Sequence, residues 1–176
     1  FGLDVANRVA ATVSQYGERA LLVTEAILYE GKVIDRLQGL LEKKGLQHIV
    51  YDEVVPNATS AVVDEGVKLA RASHAQVIIG LGGVRTLSTA KCIAMASPGE
   101  ADMDDYLSGV QPKASPLAFI AMPTTCRDPF LLTSEYLLID SRDRTAKIGR
   151  APAVITKAVI FDPKLSSTLP PKFTAT

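Results

Sequence analysis

The sequence predicts an α/β fold: an open, mostly parallel sheet with helices on both faces and a β-hairpin added to it. Two observations carry that prediction. Short apolar runs such as Gln-Val-Ile-Ile-Gly-Leu at 76–81 alternate with longer amphipathic stretches, which is the pattern of parallel strands joined by crossover helices. Turn formers punctuate the alternation at Gly45, Pro56-Asn57, Gly82-Gly83 and Pro123.

The first strand spans 19–24, Arg-Ala-Leu-Leu-Val-Thr. A helix follows over 32–44, with Val33, Leu37, Leu40 and Leu41 on one face and Gly45 as its stop. Residues 48–52 form a second strand, after which Pro56-Asn57 breaks the chain and Thr59 or Ser60 caps a helix to about residue 73. The third strand, 76–81, is apolar enough to lie mid-sheet with both faces covered. Gly82-Gly83 then leads into a helix from about residue 86 to residue 96. Residues 98–113 read as a polar surface loop with a short turn at Asp104-Asp105-Tyr106, adding little to the core. The fourth strand, 117–122, stops at Pro123. Segments 131–140 and 146–149 flank Ser141-Arg142-Asp143-Arg144 as an antiparallel hairpin. A last strand at 157–161 is closed by Asp162-Pro163, and the remainder to Thr176 reads as extended and proline-rich. There is no internal repeat.

Composition sets limits on function. At 176 residues and 47% hydrophobic content, residues 1–176 suffice for one domain with a sizeable core. Lysine plus arginine balance aspartate plus glutamate at 19 each, so no global field draws in nucleic acid or an anionic membrane. No apolar run approaches the roughly 20 residues that span a bilayer, and the first residues lack the form of a signal peptide. Cys92 and Cys126 belong to no C-x-x-C pair, which fits two free thiols in a reduced, cytoplasmic protein. The start at Phe1 instead of methionine reads as a trimmed product.

In open parallel sheets ligands bind beyond the carboxyl ends of the strands, where the strand order reverses. Three predicted strand ends carry suitable chemistry. Gly82 and Gly83 allow a ligand close to the backbone, and the following helix N-terminus presents N–H groups to an anion. Thr124 and Thr125 offer hydroxyls after the fourth strand. Glu25, after the first, can accept hydrogen bonds from a ribose diol. The plain readings are a tight turn for Gly-Gly, a self-satisfied turn for Thr-Thr and a solvated carboxylate for Glu25.

Taken together, these residues resemble the iron-dependent, or group III, alcohol dehydrogenases, specifically their N-terminal, Rossmann-like nucleotide-binding half. The likeness runs through Phe1-Gly2, residues 19–25, Val55-Pro56-Asn57, residues 78–91, Asp105-Tyr106-Leu107, residues 116–125 and residues 158–170. The family's third strand leads into G-G-G-S-x-x-D-x-x-K, and Gly82, Gly83, Ala90 and Lys91 match it. Its fourth strand ends in P-T-T-A-G-T-G-S-E, matched by Pro123, Thr124 and Thr125. The resemblance implies that Gly82, Gly83, Lys91, Thr124 and Thr125 line a nucleotide. It also implies that Glu25 stands where an aspartate favours NAD over NADP, and that Lys147 matches a lysine reaching the cofactor.

The departures fall on the same motifs. Val84, Arg85 and Ser88 replace the third glycine, the serine and the aspartate of the first motif, while Arg127, Asp128, Pro129 and Phe130 replace the small residues of the second. Added bulk and a lost N–H predict weakened binding of NAD or NADP. Arg85 and Arg127 arrive beside the expected phosphate and would hold an anion by bidentate hydrogen bonds. The plainer reading has them in water or paired with Asp104, Asp105 or Asp128. Cys126 is expected to be buried and inert, the alternative being a thiol activated by Arg127.

In the family, one aspartate and three histidines of a helical C-terminal domain hold the metal. None of that domain is expected within 1–176. His48 and His74 match no metal motif and suit edge or surface roles, so no metal ligand and no catalytic residue is assigned. Without a Lewis acid, hydride transfer by this chain alone is not expected. The first reading is thus the NAD(P)-binding-type part of an oxidoreductase, completed by the metal domain or another subunit. The alternative is a non-catalytic relative that binds an anion, nucleotide or phosphorylated small molecule, or serves regulation or assembly. A third is a different enzyme on the same scaffold. Faces that normally meet the second domain suggest a homo-oligomer.

Overall fold

The structure, a computed structural model, describes residues 1–54, 58–152 and 155–166. The predicted break at Pro56-Asn57 and the proline-rich tail after residue 166 lie outside the described residues.

Strands β1 (Arg19–Val23), β2 (Gln47–Tyr51), β3 (Val77–Gly82) and β4 (Ala118–Pro123) join with β7 (Thr156–Val159) in one parallel sheet of order β2-β1-β3-β4-β7. Strands β5 (Glu135–Ile139) and β6 (Ala146–Arg150) form the antiparallel hairpin. Period-two alternation sends the strand side chains to two separate cores. Leu21, Val23, Ile78, Phe119 and Ala121 face one, packed with helices α3 (Ser60–Ala72) and α4 (Val84–Ala96). Ala20, Leu22, Val77, Ile79, Leu81, Ile120 and Met122 face the other, packed with α1 (Val9–Val13) and α2 (Val33–Lys43). Both faces of the sheet are therefore covered by helices, as the sequence predicts.

The boundaries differ where side-chain chemistry was not legible. Helix α4 starts at Val84, because the chain enters it straight from the extended Gly83 N-cap. The loop after α4 contributes more to the core than expected. It contains α5 (Met103–Leu107), capped by Asp102 Oδ1 accepting from Asp105 N at 2.9 Å, and it buries Met103 and Tyr106. An N-terminal 3-10 turn (Val5–Arg8) leading into α1 was not anticipated. Its signal is Val5, Val9 and Val13 at helical spacing, but Asp4 makes no side-chain cap. Asp162 Oδ2 accepts from Ala6 N at 3.1 Å and ties this segment to the short α6 (Pro163–Ser166).

Helix α4 decides the layout. Every residue from Thr86 to Ala96 is buried, because β3 and β4 lie beneath it, α3 beside it and the hairpin above it. A helix enclosed on all sides loses the amphipathic pattern of a surface helix, and its close approach to the sheet depends on Gly80. A Cβ there would meet Ala90 Cβ at 2.9 Å and side-chain carbons of Leu87 and Phe119 at 3.0 Å.

Strand order marks the point where an open parallel sheet has its crevice. The chain passes from β1 to β2 on one side and returns to β3 on the other, so the reversal lies between the carboxyl ends of β1 and β3. Thr24 Oγ1 donates to Leu81 O at 3.1 Å across that point, and Thr124 N donates to Gly82 O at 2.9 Å.

Replacing Gly80 by alanine is expected to push α4 off the sheet and to cost about 1–3 kcal/mol in urea unfolding. An unchanged midpoint would mean that α4 tolerates the extra methyl.

Candidate functional site

The crevice between β1 and β3 is filled by the protein's own carboxylate. Glu25 stands one residue beyond the end of β1, after Thr24, and is half-buried. Its Oε1 accepts from Gly83 N at 3.2 Å and from the Thr86 hydroxyl. Leu87 N, donating to Gly83 O at 2.9 Å, is the first amide to bond back into α4. Glu25 therefore sits on the amide-rich N-terminus of a 13-residue helix, where partial positive charge attracts an anion. Gly82 has to be glycine for this approach, since a Cβ would lie 2.7 Å from both Glu25 Oε1 and Thr86 Cβ.

The other predicted residues divide into two groups. Gly83 and Thr125 line the same crevice, a Gly83 Cβ lying 3.5 Å from Thr125 Cγ2. Thr124 is buried beside them, and Thr125 Oγ1 accepts from Arg127 N at 3.1 Å. Arg85 on the first turn of α4 and Arg127 after β4 are both exposed. The Asp128 carboxylate turns to Phe130 N at 2.8 Å, and Asp104 pairs with Arg142 at 3.7 Å. Cys126 is exposed, contrary to the expected burial, because the chain turns outward after Thr125. Cys92, within α4, is fully buried, and burial pushes its thiol well above the usual range.

Lys91 and Lys147 lie outside the crevice's hydrogen bonds. Lys91 is buried in α4, and its ammonium donates to Phe130 O, Thr133 O and Glu135 O at 2.8, 2.9 and 2.8 Å. An ammonium has three donors, so all are committed to the segment entering the hairpin. Burial lowers its pKa, opposed by the nearby Asp128 carboxylate. Gathering these three carbonyls folds residues 131–134 into turns, which is why β5 starts at Glu135 and not at the predicted Leu131. Ser88, in the position of the family's aspartate, accepts from Leu137 N at 3.1 Å and fixes the hairpin from the other side.

Lys147 on β6 serves a second cluster. Its ammonium donates to Asp140 Oδ2 at 2.5 Å and pairs with Asp143 at 3.0 Å, while Arg142 Nη2 meets the same Asp140 oxygen at 2.7 Å. The Arg142 and Lys147 hydrogen bonds hold the Asp140 carboxyl well below the usual carboxylate range. A cavity of about 500 Å3 opens here, lined by Thr59, Ile139, Asp140, Ser141 and Arg144.

Two residues to which the sequence reading gave no role shape the crevice: Thr24 and Thr86. Their signal was a small hydroxyl beside a strand end and a glycine turn. His48 lies on the edge strand β2 within 3.2 Å of Gln38 Nε2, and His74 is exposed after α3. Among the described residues no group of three or more histidines, cysteines, aspartates or glutamates is placed to hold a metal ion. The described residues do not fit the family's iron. The crevice itself carries the Gly83 amide, the Thr86 hydroxyl and the Glu25 carboxylate, all groups that form hydrogen bonds.

The family model described as iron-containing alcohol dehydrogenase matches residues 1–163. The chain belongs to that family. It is 30% identical over 179 residues to the lactaldehyde reductase of Escherichia coli strain K12, an alignment covering 99% of this chain and 47% of that protein. It is 28% identical over 159 residues to alcohol dehydrogenase 4 of Saccharomyces cerevisiae, covering 90% and 41%. The chain spans about half the length of these relatives. In structure it is similar to a 1,3-propanediol oxidoreductase, with TM-score 0.90, 24% identity, and coverage of 99% of this chain and 46% of that one. It is also similar to a sulfoacetaldehyde reductase from Bifidobacterium kashiwanohense solved in complex with NAD+, with TM-score 0.88, 21% identity, and coverage of 98% and 46%. The five-stranded parallel sheet with helices on both faces is the fold of these neighbours. Among the described residues no helix is long and apolar enough to cross a membrane.

Lys91→Met should leave three carbonyls without their shared donor and cost on the order of 3 kcal/mol in denaturant unfolding, with faster amide exchange at residues 130–135. A loss too small to measure would show that the ammonium is dispensable. Asp140 supplies a pH signature. Its folded pKa is depressed, so its stabilisation is complete above the unfolded value of about 4 and is lost as pH falls towards the folded one. The stability gap between wild type and Asp140→Asn should therefore stay constant at neutral pH and close as pH drops below about 4. A gap independent of pH would contradict the ionic role.

Proposed function

We propose that this chain is the NAD(P)-binding-type part of an alcohol- or aldehyde-directed oxidoreductase, and that it does not transfer hydride by itself. The carrying observation is the switch point between β1 and β3, where the α4 N-terminus and Gly82-Gly83 lie with Thr125 against Gly83 and the Thr124 amide bonded to Gly82 O. Amides at a helix N-terminus suit a diphosphate, and the family match supports the same use. The E. coli relative's name, lactaldehyde reductase, supports an aldehyde or alcohol as the substrate class.

The fit to a cofactor is incomplete in this conformation. Glu25 already takes the Gly83 amide and the Thr86 hydroxyl, and Lys91 and Lys147 are engaged elsewhere. No catalytic step is therefore built on the nucleotide. A metal, where the reaction uses one, would be held by residues of the family's C-terminal domain or another subunit.

A second reading, a non-catalytic binding or assembly module, is favoured by these same engagements. Every charged side chain of the predicted cofactor set whose bonds are seen here serves the fold: Glu25 on α4, Lys91 under the hairpin, and Lys147 on Asp140. This reading keeps a weak anion or nucleotide site or a docking role and needs no metal.

Calorimetric titration separates the two. NAD and ADP should bind weakly and compete with each other. NADP should bind more weakly still, because its extra phosphate would face Glu25, and no reduced cofactor should form with an alcohol. Absence of binding by all three at millimolar concentration would overturn the nucleotide reading and leave the module.

A further inference from the structure

We infer that Glu25 is a built-in competitor for the diphosphate position, so that the crevice is closed to an anionic ligand until this carboxylate leaves the α4 N-terminus. The inference rests on the nucleotide reading above and deepens it.

The geometry is specific. Glu25 Oε1 accepts from Gly83 N at 3.2 Å and also from the hydroxyl of Thr86, so one oxygen satisfies two donors of the first turn. Those donors belong to the helix whose N-terminus lies at the reversal of strand order, where an open α/β sheet binds its ligand. A ligand phosphate needs the same amide and the same partial positive charge. The two anions cannot share one N–H, and at this range they repel. Glycine at position 82 is what admits the carboxylate, since a Cβ there would lie 2.7 Å from its oxygen.

The backbone also holds Glu25 in place. Thr24 is fixed on both sides, its N–H donating to Tyr51 O at 2.9 Å and its hydroxyl to Leu81 O at 3.1 Å. Glu25 itself forms a bridge with Glu53, and Leu28 N donates to its carbonyl at 3.0 Å. The carboxylate can leave only by side-chain rotation. Once turned out, it stands at the end of β1, where an acidic side chain can accept from ribose hydroxyls. Displacement from the amide and acceptance of the sugar are two positions of one residue.

The test is calorimetric titration of the 1–176 chain with inorganic pyrophosphate. Glu25→Ala should bind pyrophosphate about tenfold more tightly than wild type. Glu25→Asp, which keeps the charge but shortens the reach by one methylene, should fall between them. Thr86→Val removes one of the two anchors and should raise affinity by a smaller factor, which keeps the test open if either Glu25 variant folds poorly. Equal or weaker binding by Glu25→Ala and Thr86→Val, with wild type binding measurably, would overturn the competitor and leave the nucleotide reading standing. Binding by none of them would remove both.

Discussion

The burial of α4 from Thr86 to Ala96 is the constraint on which the rest of this structure depends. With sheet below, α3 beside and the hairpin above, its polar groups must be satisfied by protein. Lys91 meets this demand by gathering three carbonyls, Ser88 by accepting the Leu137 amide, and Thr86 by donating to Glu25. Thr89 Oγ1, buried without a partner, is the exception. Gly80 supplies the room and Gly82 the close passage of the Glu25 carboxylate. The same contacts build the wall of the crevice and the roof over the helix, so site and fold share their residues.

Residues that match or replace the family motif in sequence take part in that sharing. Where the family places an aspartate, Ser88 anchors the hairpin, and the matched lysine, Lys91, organises the turn into β5. Substitution of the small residues after Thr125 by Arg127, Asp128, Pro129 and Phe130 gives that turn its own internal support, with Asp128 accepting from the Phe130 amide. The loop after Thr125 is also held by Lys91, through the Phe130 carbonyl.

Periodicity made the architecture legible. Strands β1 to β4, helices α2 to α4 and the hairpin stand within a few residues of their expected positions, because apolar spacing reports directly on burial. Features set by long-range hydrogen bonds were not legible. The late start of β5 follows from three carbonyls meeting one ammonium, and α5 follows from an Asp102 cap with two buried side chains inside a polar stretch. At the site, spacing marked Gly82, Gly83, Thr124 and Thr125. It was silent on where the charged residues point, because Glu25 and Lys147 choose among partners distant in sequence.

We propose that the β1–β3 switch point of this chain is its ligand crevice. Amide chemical-shift mapping during titration with ADP tests it most directly. The account predicts that shifts concentrate at residues 82–87 and 124–125, with Glu25 among them. Shifts confined to the cavity at Thr59, Asp140 and Arg144, or absent at saturating ADP, would contradict it.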